Sequence, residues 1–198
     1  MKVTVPVAQF TMVDRQPSDA VISDHPFAYA NFHEVTPGVL YRSKQLTAEQ
    51  FKHFIGKYRI KTIINLRGTS LRAKWYRNEM DALTGDSITH YDVPLSSTRY
   101  VPSRVLDSLL SIFRLSPEPI LVHCQAGADR TGLFCAAWKL KVEGLSPEQA
   151  SRQLSIIYGH FPLFNGTRAM DSSFYDYARF LGYALIKVHG KRTWIKNP

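Results

Sequence analysis

Cys124 and Arg130, six positions apart in the string ILVHCQAGADRTG from Ile120 to Gly132, are the residues of this chain best suited to do chemistry. An aliphatic run with strand character leads into them, Gly127 sits in the turn between them, and Thr131 opens a helix that reaches about Glu143. A strand, a tight turn and a helix N-terminus in this order make an anion site. Backbone N–H groups from Gln125 through Ala126, Gly127, Ala128 and Asp129 to Arg130 can curl around phosphate oxygens, and the helix adds the positive end of its dipole. Gly127 suits a point where a side chain would crowd that curl. Arg130 closes the ring by a planar, bidentate contact that lysine cannot reproduce. A cysteine at the mouth of such a loop meets backbone donors, a helix N-terminus and a guanidinium, all of which favour the thiolate. The chemistry that follows is in-line attack of sulfur on phosphorus, giving a phosphocysteine that water hydrolyses in a second displacement. Thr131 can donate its hydroxyl to the departing sulfur, and His123 orders the loop through hydrogen bonds.

The string H-C-x-x-G-x-x-R-T-G, His123 to Gly132, resembles the signature of the protein tyrosine phosphatase superfamily, in particular its compact bacterial dual-specificity branch. The preceding YRS, IINLRG and HYDVPLSS segments resemble strands of those proteins more loosely. The resemblance implies Cys124 as nucleophile, Gln125 to Asp129 as backbone cradle, Arg130 as oxyanion clamp, Thr131 as thiol-releasing hydroxyl, and no cofactor. Two departures stand out. Asp129 lies before the arginine where many protein-directed members carry a small hydroxyl residue, and an acidic residue there resembles inositide-directed, phytase-like branches. The usual general acid, an aspartate on a loop about thirty residues before the cysteine, has no clear counterpart: Asp92 falls within the strand-like HYDVPL, and SSTRYVPS carries no carboxylate. Either Asp92 or Asp129 protonates the leaving oxygen, or the substrate needs little protonation.

Several elements must position this loop. A strand at Gly38 to Ser43, a helix from Thr47 to Lys57 with a Thr47/Gln50 capping box, and a β-branched strand at Ile60 to Leu66 come first. A helix from about Leu71 to Leu83, a strand through ITHYDVPL, a helix beginning at Pro102 or Ser103 and the strand PILVH follow. After the loop come its helix, ended by Gly144, a helix capped by Ser146 with Pro147 at its first position, and a last helix over Phe174 to Lys187. The alternation predicts an α/β fold, a mainly parallel central sheet flanked by helices like that of dual-specificity phosphatases, with extra helices after residue 144. Residues 1–37 read as an irregular lead-in packed on a phosphatase domain at 38–198, and the tail KVHGKRTWIK as a solvated end. Arg67 leaves the sheet at the same end as the cysteine loop, where substrates of such sheets bind. Arg72, Lys74, Arg77, Arg99 and Arg104 could rim the pocket, though each taken singly reads first as an ordinary surface charge. Cys135, in FCAAWKL, reads as a buried helix residue, and His90 and His160 as locally hydrogen-bonded.

Composition narrows the function. Lys and Arg number 25 against 16 for Asp and Glu, and the resulting +9 charge favours a polyanionic partner. The basic residues are dispersed, which argues against a nucleic-acid tail. Two cysteines without metal or disulfide spacing, no paired-ligand motif and no apolar run of membrane-spanning length point to a cytoplasmic protein without a metal; a leader removed before Met1 would make it secreted or periplasmic. The reading that follows is a hydrolase acting on a polyanionic phosphomonoester such as an inositol polyphosphate. A dual-specificity or tyrosine protein phosphatase is the first alternative. A catalytically silent module that captures phosphorylated ligands is the second, and the intact Cys124, Arg130 and Thr131 speak against it.

Overall fold

A computed structural model describes residues 29–85, 87–163 and 166–197. Five short strands form the central sheet: β1 (His33–Thr36), β2 (Leu40–Ser43), β3 (Thr62–Asn65), β4 (Thr89–Asp92) and β5 (Ile120–His123). Their order is β1-β2-β5-β3-β4, with β1 antiparallel to β2 and every other pairing parallel. The cysteine strand β5 is therefore central. Leu40, Ile120 and Thr62 align across β2, β5 and β3, as do Tyr41, Leu121 and Ile63, so alternate residues feed two apolar layers on opposite faces.

One layer lies under α1 (Ala48–Tyr58) and α2 (Lys74–Leu83) and gathers Phe51, Phe54, Ile55, Ile63 and Leu121. The other lies under α3 (Ser103–Phe113), α4 (Asp129–Lys141) and α6 (Arg168–Phe180) and gathers Ile64, Val122, Phe113, Phe134, Trp138 and Phe174. The helix α4 that leaves the cysteine loop is buried nearly all round, which fixes its N-terminus, and with it the loop, against the sheet. Cys135 lies fully buried within it, and burial pushes its thiol up to about 11. The short α5 (Pro147–Ala150) carries the Ser146 cap and proline as expected, and two 3₁₀ turns follow at Ser151–Gln153 and Ile156–Tyr158.

Two expectations change. The last helix begins at Arg168 and stops at Phe180, and the tail is a hairpin of β6 (Tyr183–Val188) with β7 (Lys191–Lys196). Gly182 takes a positive φ that ends the helix, and His189-Gly190, both at positive φ, make the tight reversal that a two-residue hairpin loop requires. Basic residues on both faces disguise these strands as a solvated tail; Trp194 stacks on Tyr175 of α6 and helps anchor them. Strand β1 falls inside the stretch read as an irregular lead-in, and residues 1–28 of that stretch lie outside the described residues.

Candidate active site

Three consecutive carbonyls of the cysteine loop turn outward to donors on other segments, and the next, that of Ala128, accepts the first hydrogen bond of α4. Gln125 O accepts from Gln45 N at 3.1 Å, Ala126 O from Asn31 Nδ2 at 2.9 Å, Gly127 O from Arg42 Nη2 at 2.7 Å, and Ala128 O from Gly132 N at 2.8 Å. The N–H groups of Gln125 to Arg130 find no acceptor among the described residues. Peptide groups whose oxygens face out present their N–H groups inward, and six free donors around one loop form a cradle for an oxyanion. Gly127, at a φ of 73°, is required here. A Cβ at that position would lie 2.6 Å from Lys44 N and 2.7 Å from the carbonyl of Ser43, at the end of β2.

Arg42 does for the loop's outer side what no sequence reading anticipated. It is wholly buried on β2, its Nη1 donates to the carbonyl and side chain of Gln153 at 3.0 and 2.8 Å, and its guanidinium lies 3.8 Å from the ring centroid of Tyr158. The only clue in the sequence is an arginine inside an otherwise strand-like LYRS.

Cys124 and His123 are buried at the loop's start, Gln125 and Ala126 lie exposed at its mouth, and Thr131 is buried in the first turn of α4. Arg130 Nη1 donates to the carbonyls of Leu66 and Leu95, both at 3.3 Å, which places its guanidinium across the ends of the β3 and β4 connections. Its buried Nε and the buried Thr131 hydroxyl have no hydrogen-bond partner among the described residues. Unsatisfied buried polar atoms are costly, and His123 Nδ1 at the loop's start is a third among the described residues.

Arg67 joins the site. Its guanidinium lies 3.4 Å from the Trp75 ring centroid, and its Nη1 donates to Gln45 Oε1 at 2.8 Å. Burial, then the like charge of Arg130, lower its pKa, while Glu79 and Cys124 act the other way, so Arg67 and Arg130 share one field. Among the described residues neither arginine is ion-paired to a carboxylate. Of the other rim candidates, Arg77 turns back onto the carbonyls of Leu71 and Arg72, and Arg72, Lys74, Arg99 and Arg104 are exposed.

The two candidate acids differ. Asp92, the last residue of β4, accepts from Asn65 Nδ2 at 2.7 Å, from Thr69 Oγ1 at 3.0 Å and from the Tyr76 hydroxyl, so its carboxylate ties β4 to the connection between β3 and α2. Asp129 opens α4 beside Arg130 and bonds through Oδ1 to His160 Nδ1 at 2.7 Å. His160, read as locally hydrogen-bonded, is so on both ring nitrogens, since Nε2 meets Asp171 Oδ2 at 2.9 Å.

Behind His123, next to Cys124, lies a buried carboxylate that the sequence reading missed. Glu79 of α2 receives His123 Nε2 and His90 Nε2, each at 3.0 Å, on Oε1, and Gln45 Nε2 at 2.8 Å on Oε2. Burial opposes its charge, but His123, His90 and Gln45 outweigh burial and hold its pKa at about 2. A depressed carboxylate contributes stability that is present above its ordinary value of 4.5 and is lost as pH falls toward about 2. Glu79→Gln is therefore expected to lose about 3 kcal/mol in urea unfolding at pH 7, on the scale of breaking a buried pair. The gap from wild type should narrow below pH 4; a gap unchanged from pH 7 to pH 3 would show that the charge contributes nothing.

Comparison with known proteins settles the class. Residues 7–167 match the family model PTP-NADK, described as a DSP-PTPase phosphatase fused to NAD+ kinase. The chain belongs to this family. It is thus a cysteine-based phosphatase of the dual-specificity-like group. Among solved structures, TpbA of P. aeruginosa aligns with a TM-score of 0.57 and 21% identity over 75% of this chain and 91% of that one. The core catalytic domain of the PP-IP phosphatase SIW14 from S. cerevisiae, in complex with citrate, aligns with a TM-score of 0.58 and 26% identity over 74% and 83%. PTPMT1 shares the fold at a TM-score of 0.54 and 12% identity, over 75% and 97%. The α/β architecture expected from the sequence is that of these proteins. Among the described residues no helix is long and apolar enough to cross a membrane.

Proposed function

We propose that this PTP-NADK family phosphatase hydrolyses a monoester carrying more than one phosphate, such as an inositol polyphosphate, through a phosphocysteine on Cys124. The observation that carries this reading is the pairing of two guanidiniums at one loop, Arg130 and Arg67, neither neutralised by a carboxylate among the described residues. One phosphate sits in the cradle of free N–H groups with Arg130 across it. Cys124 attacks in line, Asp129 protonates the leaving oxygen, and the Thr131 hydroxyl supports the sulfur as it departs in the second step. His123, fixed by Glu79, orders the start of the loop. Asp92 is committed to three donors of its own and serves architecture.

A second phosphate of the same substrate pairs with Arg67, which the Trp75 face and Gln45 hold ready, so little side-chain freedom is lost on binding. SIW14, similar to this chain in fold, is a PP-IP phosphatase, which agrees with this assignment. A protein phosphatase is the alternative, since a TpbA variant is described in complex with phosphotyrosine.

The test compares catalytic efficiency on an inositol polyphosphate and on a phosphotyrosine peptide. Arg67→Ala is expected to lose about tenfold on the first, the worth of one half-buried charge-assisted contact. The loss on the second should be at most about twofold, and the wild-type preference should shrink as salt rises. A phosphotyrosine preference that persists at low and high salt would reject the polyphosphate substrate and leave a protein phosphatase.

A further inference from the structure

The loop after β4, residues 96–101, carries no carboxylate, and Asp92 is held by three donors. An alkoxide leaving group still needs a proton, and the buried group nearest to supplying one stands behind Asp129. His160 is almost wholly buried, with Nδ1 on Asp129 Oδ1 and Nε2 on Asp171 Oδ2. Asp129 comes from the start of α4, Asp171 from the first turn of α6, and the imidazole bridges them. We propose that Asp171, His160 and Asp129 form a proton reservoir for the reaction, in which His160 and Asp171 are positioning residues that feed one proton to Asp129 and take it back. The proposal rests on the assignment of Asp129 as the acid.

The chemistry follows from counting protons. An ionised carboxylate only accepts hydrogen bonds, so a ring with a carboxylate on each nitrogen carries both N–H protons and is an imidazolium. Two carboxylates and one imidazolium bear a net charge of −1. Moving the Nδ1 proton along the 2.7 Å bond gives neutral Asp129, neutral His160 and ionised Asp171, again with a net charge of −1. The shift thus creates no new buried charge, and Asp171 keeps the remaining proton on Nε2, as the orienting carboxylate of a catalytic triad does. Asp129 Oδ2 has no partner among the described residues and its side chain is partly exposed, so an oxygen remains free to face a leaving group.

In the first step the Cys124 sulfur bonds to phosphorus and the ester P–O bond breaks. Asp129 takes the Nδ1 proton of His160 on Oδ1, turns about its Cβ–Cγ bond and hands that proton to the leaving oxygen, so that Asp129 ends ionised and the imidazole neutral. In the second step water attacks phosphorus, the S–P bond breaks, and one water proton returns through Asp129 to His160, restoring thiolate and imidazolium. Burial works against the charged ring, yet the two carboxylates outweigh it and raise its pKa to about 9, so the reservoir is filled at neutral pH. The leaving alkoxide, a far stronger base, draws the proton off as its charge develops.

The experiment measures kcat/KM of the full chain for 4-nitrophenyl phosphate, whose leaving group departs unprotonated, and for an alkyl phosphate, alongside tungstate affinity. Asp129→Asn should lose about 10²- to 10³-fold on the alkyl phosphate and under about threefold on the aryl one. His160→Asn should reproduce that asymmetry with a loss of about 10²-fold, and Asp171→Asn, the milder change, with about tenfold. Tungstate affinity should stay unchanged, and imidazole should restore alkyl phosphate turnover to His160→Gly. Equal losses on both substrates in the His160 and Asp171 variants, or no loss in either, would overturn the reservoir while an asymmetric Asp129→Asn left the acid assignment standing. If His160→Asn fails to fold, Asp171→Asn decides by the same criterion. A symmetric Asp129→Asn would remove the acid assignment and the reservoir together, leaving the covalent mechanism to be judged at Cys124.

Discussion

Cys124→Ser should lower kcat by at least about 10⁴-fold, the scale on which a covalent hydrolase loses its nucleophile, while the protein still binds tungstate or phosphate. The two effects separate because they reside in different atoms. On the proposed mechanism turnover needs the sulfur, whereas anion affinity rests on the N–H groups of Gln125 to Arg130, beside carbonyls held by donors of the protein, and on the Arg130 guanidinium. Serine has nearly the same volume as cysteine, so the buried floor of the loop stays filled. Single-turnover denaturing quench with ³²P-labelled substrate should trap phosphoprotein in wild type and none in the variant. Comparable turnover by Cys124→Ser would end the phosphocysteine mechanism.

Arg130→Lys should cost about 10²- to 10³-fold in kcat/KM, as does loss of an oxyanion donor elsewhere, and should also weaken tungstate binding. Lysine preserves the charge but not the fork. Arg130 spans the carbonyls of Leu66 and Leu95 with Nη1 while its buried Nε has no acceptor among the described residues, a division of labour that needs several nitrogens in one plane. If geometry rather than charge is the contribution, Arg130→Ala should fall no more than about tenfold below Arg130→Lys. A lysine variant within about threefold of wild type would show that a point charge is sufficient.

The loop was legible in the sequence because its parts are local. A strand, Gly127 at a crowded turn, Arg130 and a helix start are neighbours in the chain, and each follows from short-range sterics or hydrogen bonding. The same holds for the Thr47/Gln50 capping box and the β-branched strand at β3. The terminal hairpin escaped because its strands carry lysine and arginine on both faces and gain their order from long-range contacts, among them the Trp194 ring on Tyr175 and the Trp194 backbone N–H on Glu148.

What tertiary structure alone decided is the set of partners that hold the loop. Asn31, Arg42 and Gln45 precede it by 80 residues or more in sequence, yet they cap its carbonyls, because β2 runs parallel to β5 and delivers Arg42 and Gln45 to the same edge, where the antiparallel β1 begins just after Asn31. Glu79 and His123 meet only because α2 packs behind the loop, and Asp129, His160 and Asp171 only because α6 returns beside α4. No short-range pattern marks these residues, since a buried charge is tolerated only where distant groups satisfy it. The residue sequence by itself determined the cysteine, the cradle and the arginine; the packing of α2, α6 and β2 around them determined which charges are buried and paired, and left Arg67 and Arg130 without a carboxylate partner among the described residues.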